Sequence, residues 1–171
     1  ILNATIDLYA YASLEPLNNG KVEFVIDGGD KSLIVDATEE IPIHKGFELF
    51  IGVYNRVVKQ FSKKALSFRL TSFIEAPQGS GLGTSSTLVV SLLGAFVEWL
   101  KLPLGKYDIA HLAYDIERID LAMAGGKQDQ YAATFGGVNF MEFFANDKVI
   151  VNPLRIRQEY LNELENNLVL Y

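Results

Sequence analysis

The sequence predicts an α+β domain of two layers, with helices on one face of a β-sheet. Three observations support this class. Apolar and polar residues alternate at the start of the chain, segments with helical spacing lie on both sides of a central strand, and two paired strands follow the last long helix. The order is therefore strands, helix, strand, helices and paired strands, which is typical of α+β proteins.

The first part of the chain is predicted to form an antiparallel meander. Even-numbered positions from Leu2 to Leu14 are apolar, which is the period of a half-buried strand. Turn residues rich in Asn, Gly and Pro separate this strand from two shorter apolar runs. The three strands are expected over residues 1–15, 21–27 and 32–36, with Gly28-Gly29-Asp30 as the second turn.

An amphipathic helix and a strand come next. Apolar residues recur every three or four positions over 47–61, so one face of this helix is expected to lie on the sheet. Residues 66–74 are predicted to be a strand that leads into a glycine-rich stretch. A second helix is expected to run from the hydroxyl residues 84–86, which are good N-cap candidates, to about Leu100. Because it is apolar around most of its circumference, we expect it to be the most buried helix.

Helices and short strands are predicted for the rest of the chain. They are a helix from Lys106 to about Met123, a short helix over 127–135, strands over 138–143 and 149–151, a weak helix near 157–165 and a last strand over 168–171. Glycine pairs end the first two of these helices, and Asn146-Asp147 supplies the turn between the paired strands.

The composition limits the possible partners. The chain has 171 residues, of which 49% are hydrophobic, and this predicts one domain with a substantial core. A net charge of −6 with scattered Lys and Arg argues against nucleic acid as a partner. The most apolar window, 88–100, is shorter than the ~20 residues of a membrane span, so no membrane partner is expected. The absence of Cys excludes disulfides and thiolate metal sites and is compatible with the cytoplasmic location that we expect.

The glycine-rich stretch is the first candidate site. Gly79, Gly81 and Gly83 stand at alternate positions before the second helix, so that backbone N–H groups and the helix dipole could face one anion. No Lys follows these glycines, in contrast to the P-loop of ordinary nucleotide hydrolases, so phosphate would be bound by amides, the dipole and hydroxyls. The alternative is an ordinary turn between a strand and a helix.

Two carboxylates are further candidates. Glu117 lies on the predicted third helix, where it could complete a magnesium shell; the alternative is a surface charge or an ion pair with Arg118. Asp129 follows a glycine pair near a helix start, where it could accept a proton from a substrate hydroxyl. Its alternative role is to stabilise the first helical turn.

Together these segments resemble motifs of the GHMP kinases, the family of galactokinase, homoserine kinase, mevalonate kinase and phosphomevalonate kinase. Pro77 with Gly81-Leu82-Gly83-Thr84-Ser85-Ser86 resembles the phosphate-binding motif of that family. Glu117-Arg118 and Gly126-Lys127-Gln128-Asp129-Gln130-Tyr131 resemble the segment that carries its magnesium-binding glutamate and catalytic aspartate. With the Phe-Gly-Gly and Asn-Phe that follow, this segment is most similar to that of the heptose 7-phosphate kinases and related sugar kinases.

The resemblance implies a site for ATP and Mg²⁺. The nucleotide would be bound by Pro77, Gly79, Ser80, Gly81, Leu82, Gly83, Thr84, Ser85 and Ser86. Ser85 and Glu117 would hold Mg²⁺, and Asp129 would orient or deprotonate the attacking sugar hydroxyl. The substrates would be ATP and a small sugar or sugar phosphate.

The resemblance also implies a reaction and a fold. The expected reaction transfers the γ-phosphate to the anomeric hydroxyl of a heptose 7-phosphate. The alternatives are another small alcohol, such as galactose, fucose or mevalonate, and a domain that binds nucleotide without turnover. The implied fold is that of ribosomal protein S5 domain 2, with 1–171 as the ATP-binding N-terminal domain. Family members also carry an upstream Gly-Gly-Gly-Thr-Asp-like substrate loop and a downstream glycine-rich motif, so we expect the chain to be incomplete at both ends and inactive alone.

Overall fold

The computed structural model describes residues 1–26, 31–77 and 79–169. The chain forms two compact units. The larger unit is Asp7–Phe135, and the smaller unit combines Ile1–Ile6 with Gly136–Tyr171. The turn predicted at Gly28-Gly29-Asp30 lies outside the described residues.

The described residues form seven strands and five α-helices. In chain order the elements are β1 (Leu2–Ala4), β2 (Ala10–Pro16), β3 (Lys21–Ile26), β4 (Lys31–Asp36), α1 (Glu48–Val57), β5 (Phe68–Ile74), α2 (Thr84–Leu100), α3 (Lys106–Asp115), α4 (Gln128–Phe135), β6 (Val138–Phe143), β7 (Val149–Pro153) and α5 (Gln158–Asn167). Helix α1 continues into a π-helical turn, Val58–Ser62, and α3 continues into another, Ile116–Asp120.

The sheet of the larger unit has the strand order β2-β5-β3-β4. Strand β5 lies antiparallel to β2 and parallel to β3, so Leu70 is opposite Leu14 on one side and Phe24 on the other. The antiparallel hairpin of β3 and β4 is confirmed. The predicted three-strand meander is wrong, because β5 separates β2 from β3.

The long strand predicted over 1–15 is two strands. β1 pairs with β6 in the smaller unit, whereas β2 pairs with β5 in the larger unit. The alternation holds over the first six residues of β2, where Ala10, Ala12 and Leu14 are half-buried and the odd positions are exposed. In β1 it is reversed, since Leu2 is exposed and Asn3 is half-buried. The alternation of apolar and polar residues in the sequence therefore continues from β1 to β2, although the two strands belong to different sheets.

One face of the larger unit's sheet is covered and the other is open. The covered face of β5 presents Phe68 and Leu70 to the core, and the ring of Phe68 lies 5.2 Å from that of Phe96 and 5.7 Å from that of Trp99, both on α2. On the open face, Arg69 donates to Glu23 at 2.8 Å. This one-sided burial confirms the prediction of an α+β arrangement with helices on one face.

Helix α1 is the more buried of the two central helices. Six of its ten residues are buried, against six of the 17 residues of α2. The expectation that the second helix would be the most buried is therefore wrong. Helix α1 packs against both α2 and the π-helical turn that follows α3, whereas α2 leaves residues such as Glu98 exposed.

The smaller unit contains a three-stranded antiparallel sheet of order β1-β6-β7 and the helix α5. The predicted strands and the turn at Asn146-Asp147 are confirmed, with Asp147 in the left-handed region at φ +66°. The last strand predicted over 168–171 is not formed at Leu168 and Val169, and its other two residues lie outside the described part of the chain. No helix in the described residues is long and apolar enough to cross a membrane.

The contrast between the two faces of β5 generates a stability prediction. Phe68→Ala should lower the free energy of unfolding by about 3–5 kcal/mol, because it empties a fully buried ring site beneath α2. Phe73→Ala changes the same residue type on the same strand, but this ring is 48% exposed, so the loss should be about 1 kcal/mol or less. Urea denaturation would measure both values, and equal losses would contradict the assignment of faces.

Candidate active site

Strand β5 leads into the glycine-rich loop, which ends at the N-terminus of α2. Gly79, Gly81 and Gly83 have φ values of +78°, +74° and +70°, a region that residues with side chains rarely adopt. A Cβ atom at Gly79 or Gly81 would meet nothing within 4 Å, so the backbone conformation, not space, requires glycine there. Successive N–H groups in such a turn form a concave surface that suits an anion.

Gly83 is the N-cap of α2, and the predicted N-caps at 84–86 are instead the first helical residues. The carbonyl of Gly83 accepts the first backbone hydrogen bond of the helix, from the N–H of Thr87 at 3.0 Å. The hydroxyl of Thr87 donates to the same carbonyl, also at 3.0 Å. Gly83 has no side chain with which to cap the helix, so the first-turn N–H groups point out of its end. Together with the helix dipole, they can bind a negatively charged group.

The carboxylate of Glu117 is fully buried beneath this helix end. It lies on the π-helical turn after α3, a local widening of the helix that is frequent at functional sites. Ser86 Oγ donates to Glu117 Oε2 at 2.7 Å, and Ser85 Oγ donates to Oε1 at 3.3 Å. The structure therefore brings Ser85 and Glu117, the two predicted metal ligands, into contact.

Two further residues contact the Glu117 carboxylate, and sequence reasoning did not find them as site residues. Gln130 Nε2 donates to Glu117 Oε2, and it lies 3.0 Å from the hydroxyl of Ser86. Arg118 Nη1 lies 3.9 Å from Glu117 Oε1, so the ion pair considered as an alternative role of Glu117 is present in a buried setting. An unpaired buried charge is costly, and these donors compensate for its removal from water.

Arg118 also holds the loop before α4. Its Nε donates to the carbonyl of Gly126 at 3.2 Å. A Cβ at Gly125, where φ is +144°, would lie only 2.7 Å from the Arg118 guanidinium. The predicted glycine break between the helices is therefore a place where an arginine side chain lies against the backbone.

Asp129 lies in the first turn of α4 with an exposed side chain, close to the N-cap of α2. A Cβ at Gly83 would lie 3.1 Å from Asp129 Cγ and 3.3 Å from Oδ2. The positive φ of Gly83 favours glycine, and a side chain there would also crowd Asp129. The structure consequently places the predicted catalytic aspartate and the buried glutamate at the same helix end, on two different helices.

The remaining predicted nucleotide-binding residues form the outer part of the loop. Pro77, Gly79, Ser80, Gly81 and Leu82 are exposed. The N–H of Ser80 donates to the carbonyl of Pro77 at 3.3 Å, which closes the turn. Gln78, which lies within the same stretch, is outside the described residues.

Comparison with known proteins identifies the family. Residues 48–137 match the model for the N-terminal domain of GHMP kinases. The whole chain is 52% identical to D-glycero-alpha-D-manno-heptose 7-phosphate kinase of Campylobacter jejuni, and it covers 50% of that protein. The chain therefore spans about half the length of this relative.

Solved structures show the same fold. The crystal structure of a D-glycero-D-manno-heptose 1-phosphate kinase from Bacteroides thetaiotaomicron has a TM-score of 0.92 and 50% identity, over 96% of this chain and 54% of that chain. The mevalonate kinase of Methanococcus jannaschii has a TM-score of 0.77 over 93% of this chain and 50% of that chain; at 17% identity it supports the fold alone. The chain belongs to the GHMP kinase family.

Proposed function

We propose that the full-length protein is an ATP-dependent sugar kinase that transfers the γ-phosphate to the anomeric hydroxyl of a heptose 7-phosphate. The observation that carries this proposal is the open N-terminus of α2, which is bordered by Glu117 on one helix and by Asp129 on another. The 52% identity to a heptose 7-phosphate kinase supports the choice of sugar.

The glycine-rich loop and the first turn of α2 would bind the phosphates of ATP. Their backbone N–H groups and the helix dipole provide positive potential without a lysine. The hydroxyl of Ser86 already donates to Glu117, so any contribution of Ser86 to phosphate binding would come from its N–H. Gly79 and Gly81 are exposed, so the proposed cradle is accessible from solvent.

Ser85 and Glu117 fit a magnesium ion by the chemistry of their oxygen atoms. Mg²⁺ is usually held by one or two carboxylates together with phosphate oxygens and waters, and this pair supplies one hydroxyl and one carboxylate. In the described part of the chain, no group of three or more His, Cys, Asp or Glu side chains could hold a metal. When bound, Mg²⁺ would offset the negative charge of the phosphates.

Asp129 would act on the acceptor hydroxyl. Its exposed carboxylate lies beside Gly83, at the end of the proposed phosphate cradle. A carboxylate in this position can accept the proton of the sugar hydroxyl and direct its oxygen towards the phosphoryl group. Phosphoryl transfer depends mainly on positioning and charge neutralisation, and these residues would contribute to both.

Heptose 1-phosphate is a second candidate acceptor. The structure from Bacteroides thetaiotaomicron, 50% identical to this chain, is described as a heptose 1-phosphate kinase. The remaining alternatives are another small alcohol, such as galactose, fucose or mevalonate, and nucleotide binding without turnover.

Replacement of Asp129 tests its role. Asp129→Asn should lower kcat of the full-length protein by about 10²–10⁴-fold, because the variant loses the proton acceptor while it keeps the size of the side chain. The dissociation constant for ATP, measured by calorimetry, should stay within about twofold, since the phosphate cradle is unchanged. Asp108→Asn is a matched control, because Asp108 is also an acidic residue in a first helical turn, that of α3. Normal turnover by Asp129→Asn would exclude the proposed role.

A panel of acceptors tests the substrate. ATP consumption by the full-length protein should be much faster with heptose 7-phosphate than with heptose 1-phosphate, galactose, fucose or mevalonate. Phosphorus NMR of the product should then place the new phosphate on the anomeric oxygen. Faster turnover of heptose 1-phosphate would replace the proposed acceptor, and ATP binding without turnover of any acceptor would favour the non-catalytic alternative.

A further inference from the structure

We propose that Gln130 is a positioning residue of the magnesium site, which holds one oxygen of Glu117 and leaves the other for the metal. This inference rests on the proposed function, because it assumes that Glu117 and Ser85 bind Mg²⁺. Gln130 is fully buried, and its partners lie on two other segments of the chain.

The two oxygens of the Glu117 carboxylate have different surroundings. Oε2 accepts from the Ser86 hydroxyl at 2.7 Å and from the side-chain amide of Gln130. Oε1 has only longer contacts, 3.3 Å to Ser85 Oγ and 3.9 Å to Arg118 Nη1. Oε1 therefore accepts one long hydrogen bond, from Ser85, and lies at ion-pair distance from Arg118. These differences assign Oε1 to the metal and Oε2 to the supporting hydrogen bonds.

The chemistry of the partners determines the orientation of the Gln130 amide. An ionised carboxylate can only accept hydrogen bonds, so the NH₂ group of Gln130 must face Glu117. The hydroxyl of Ser86 donates to Glu117 and can accept from the same NH₂ group. Gln130 thus donates to both Ser86 and Glu117, and Ser86 donates to Glu117. Each of these donors has an acceptor in only this arrangement of the amide.

The other end of the Gln130 amide differs from the end that faces Glu117. Its Oε1 atom is buried and has no hydrogen-bond partner in the described residues. A buried acceptor without a partner is costly, and an apolar side chain would avoid that cost but would leave the buried Glu117 carboxylate with one donor fewer. The hydrogen bond from Gln130 to Glu117 is therefore the interaction that accounts for an amide side chain at this position.

Residues that orient a metal ligand are expected to affect metal affinity. Loss of such a supporting hydrogen bond typically costs 10–100-fold in metal affinity or activity. Without Gln130, the Glu117 carboxylate could rotate and place Oε1 away from Ser85. Nucleotide binding in the absence of metal should not change, because the backbone cradle does not include Gln130.

The test measures Mn²⁺ binding, as a probe for Mg²⁺, by electron paramagnetic resonance of the full-length protein with saturating ADP. Gln130→Met should raise the Mn²⁺ dissociation constant about tenfold or more. The affinity for ADP in EDTA should stay within about twofold. Gln130→Asn keeps the amide but shortens the side chain, so it should give the same result and carries the test if Gln130→Met does not fold.

Tyr54→Phe is the control for a general loss of stability. Tyr54 is also fully buried, and its hydroxyl donates to the carbonyl of Thr38 at 2.5 Å, outside the contacts of the candidate site. This variant should unfold at a lower temperature and keep the wild-type Mn²⁺ affinity. Folded Gln130 variants with unchanged Mn²⁺ affinity would overturn the proposal for Gln130 alone. Absence of ADP binding by the wild type would instead refute the proposed function and this inference with it.

Discussion

The buried carboxylate of Glu117 is the constraint on which the arrangement of the site depends. A charge removed from water must be surrounded by donors, and here the donors come from the first turn of α2, from α4 and from Arg118. Satisfying one carboxylate therefore fixes the end of α2 relative to the π-helical turn and to α4. The same packing brings Asp129 close to Gly83, where the proposed phosphate cradle meets the helix.

The helices and most strands of the chain can be predicted, because the spacing of apolar residues that indicates each of them lies within one segment of the sequence. The apolar spacing of α1 and α2 and the alternation in β2 are each properties of one segment. The strand order is not predictable in this way, because alternation shows which residues face the core but not which strand is the neighbour. The π-helical turns are also missed, because each has only five residues and the apolar spacing over so short a segment does not distinguish a π-turn from an α-turn.

The candidate site is partly predictable from the sequence. The family resemblance indicates Ser85, Glu117 and Asp129 as site residues, and the structure places the first two in contact. The resemblance does not reveal that Ser86 and Gln130 hold the buried carboxylate. These residues are 31 and 13 positions from Glu117, so no local pattern connects them to it. Burial of a polar group becomes visible only when the segments are packed together.

The end of α2 is proposed to bind the phosphates of ATP, with the metal held between Ser85 and Glu117. The most direct measurement is a crystal structure of the full-length protein with Mg²⁺ and a non-hydrolysable ATP analogue. We expect the β- and γ-phosphates to accept from backbone N–H groups within 79–86, with Mg²⁺ bound to Ser85 Oγ and Glu117 Oε1. A nucleotide bound elsewhere, or a metal without contact to Glu117, would contradict this account.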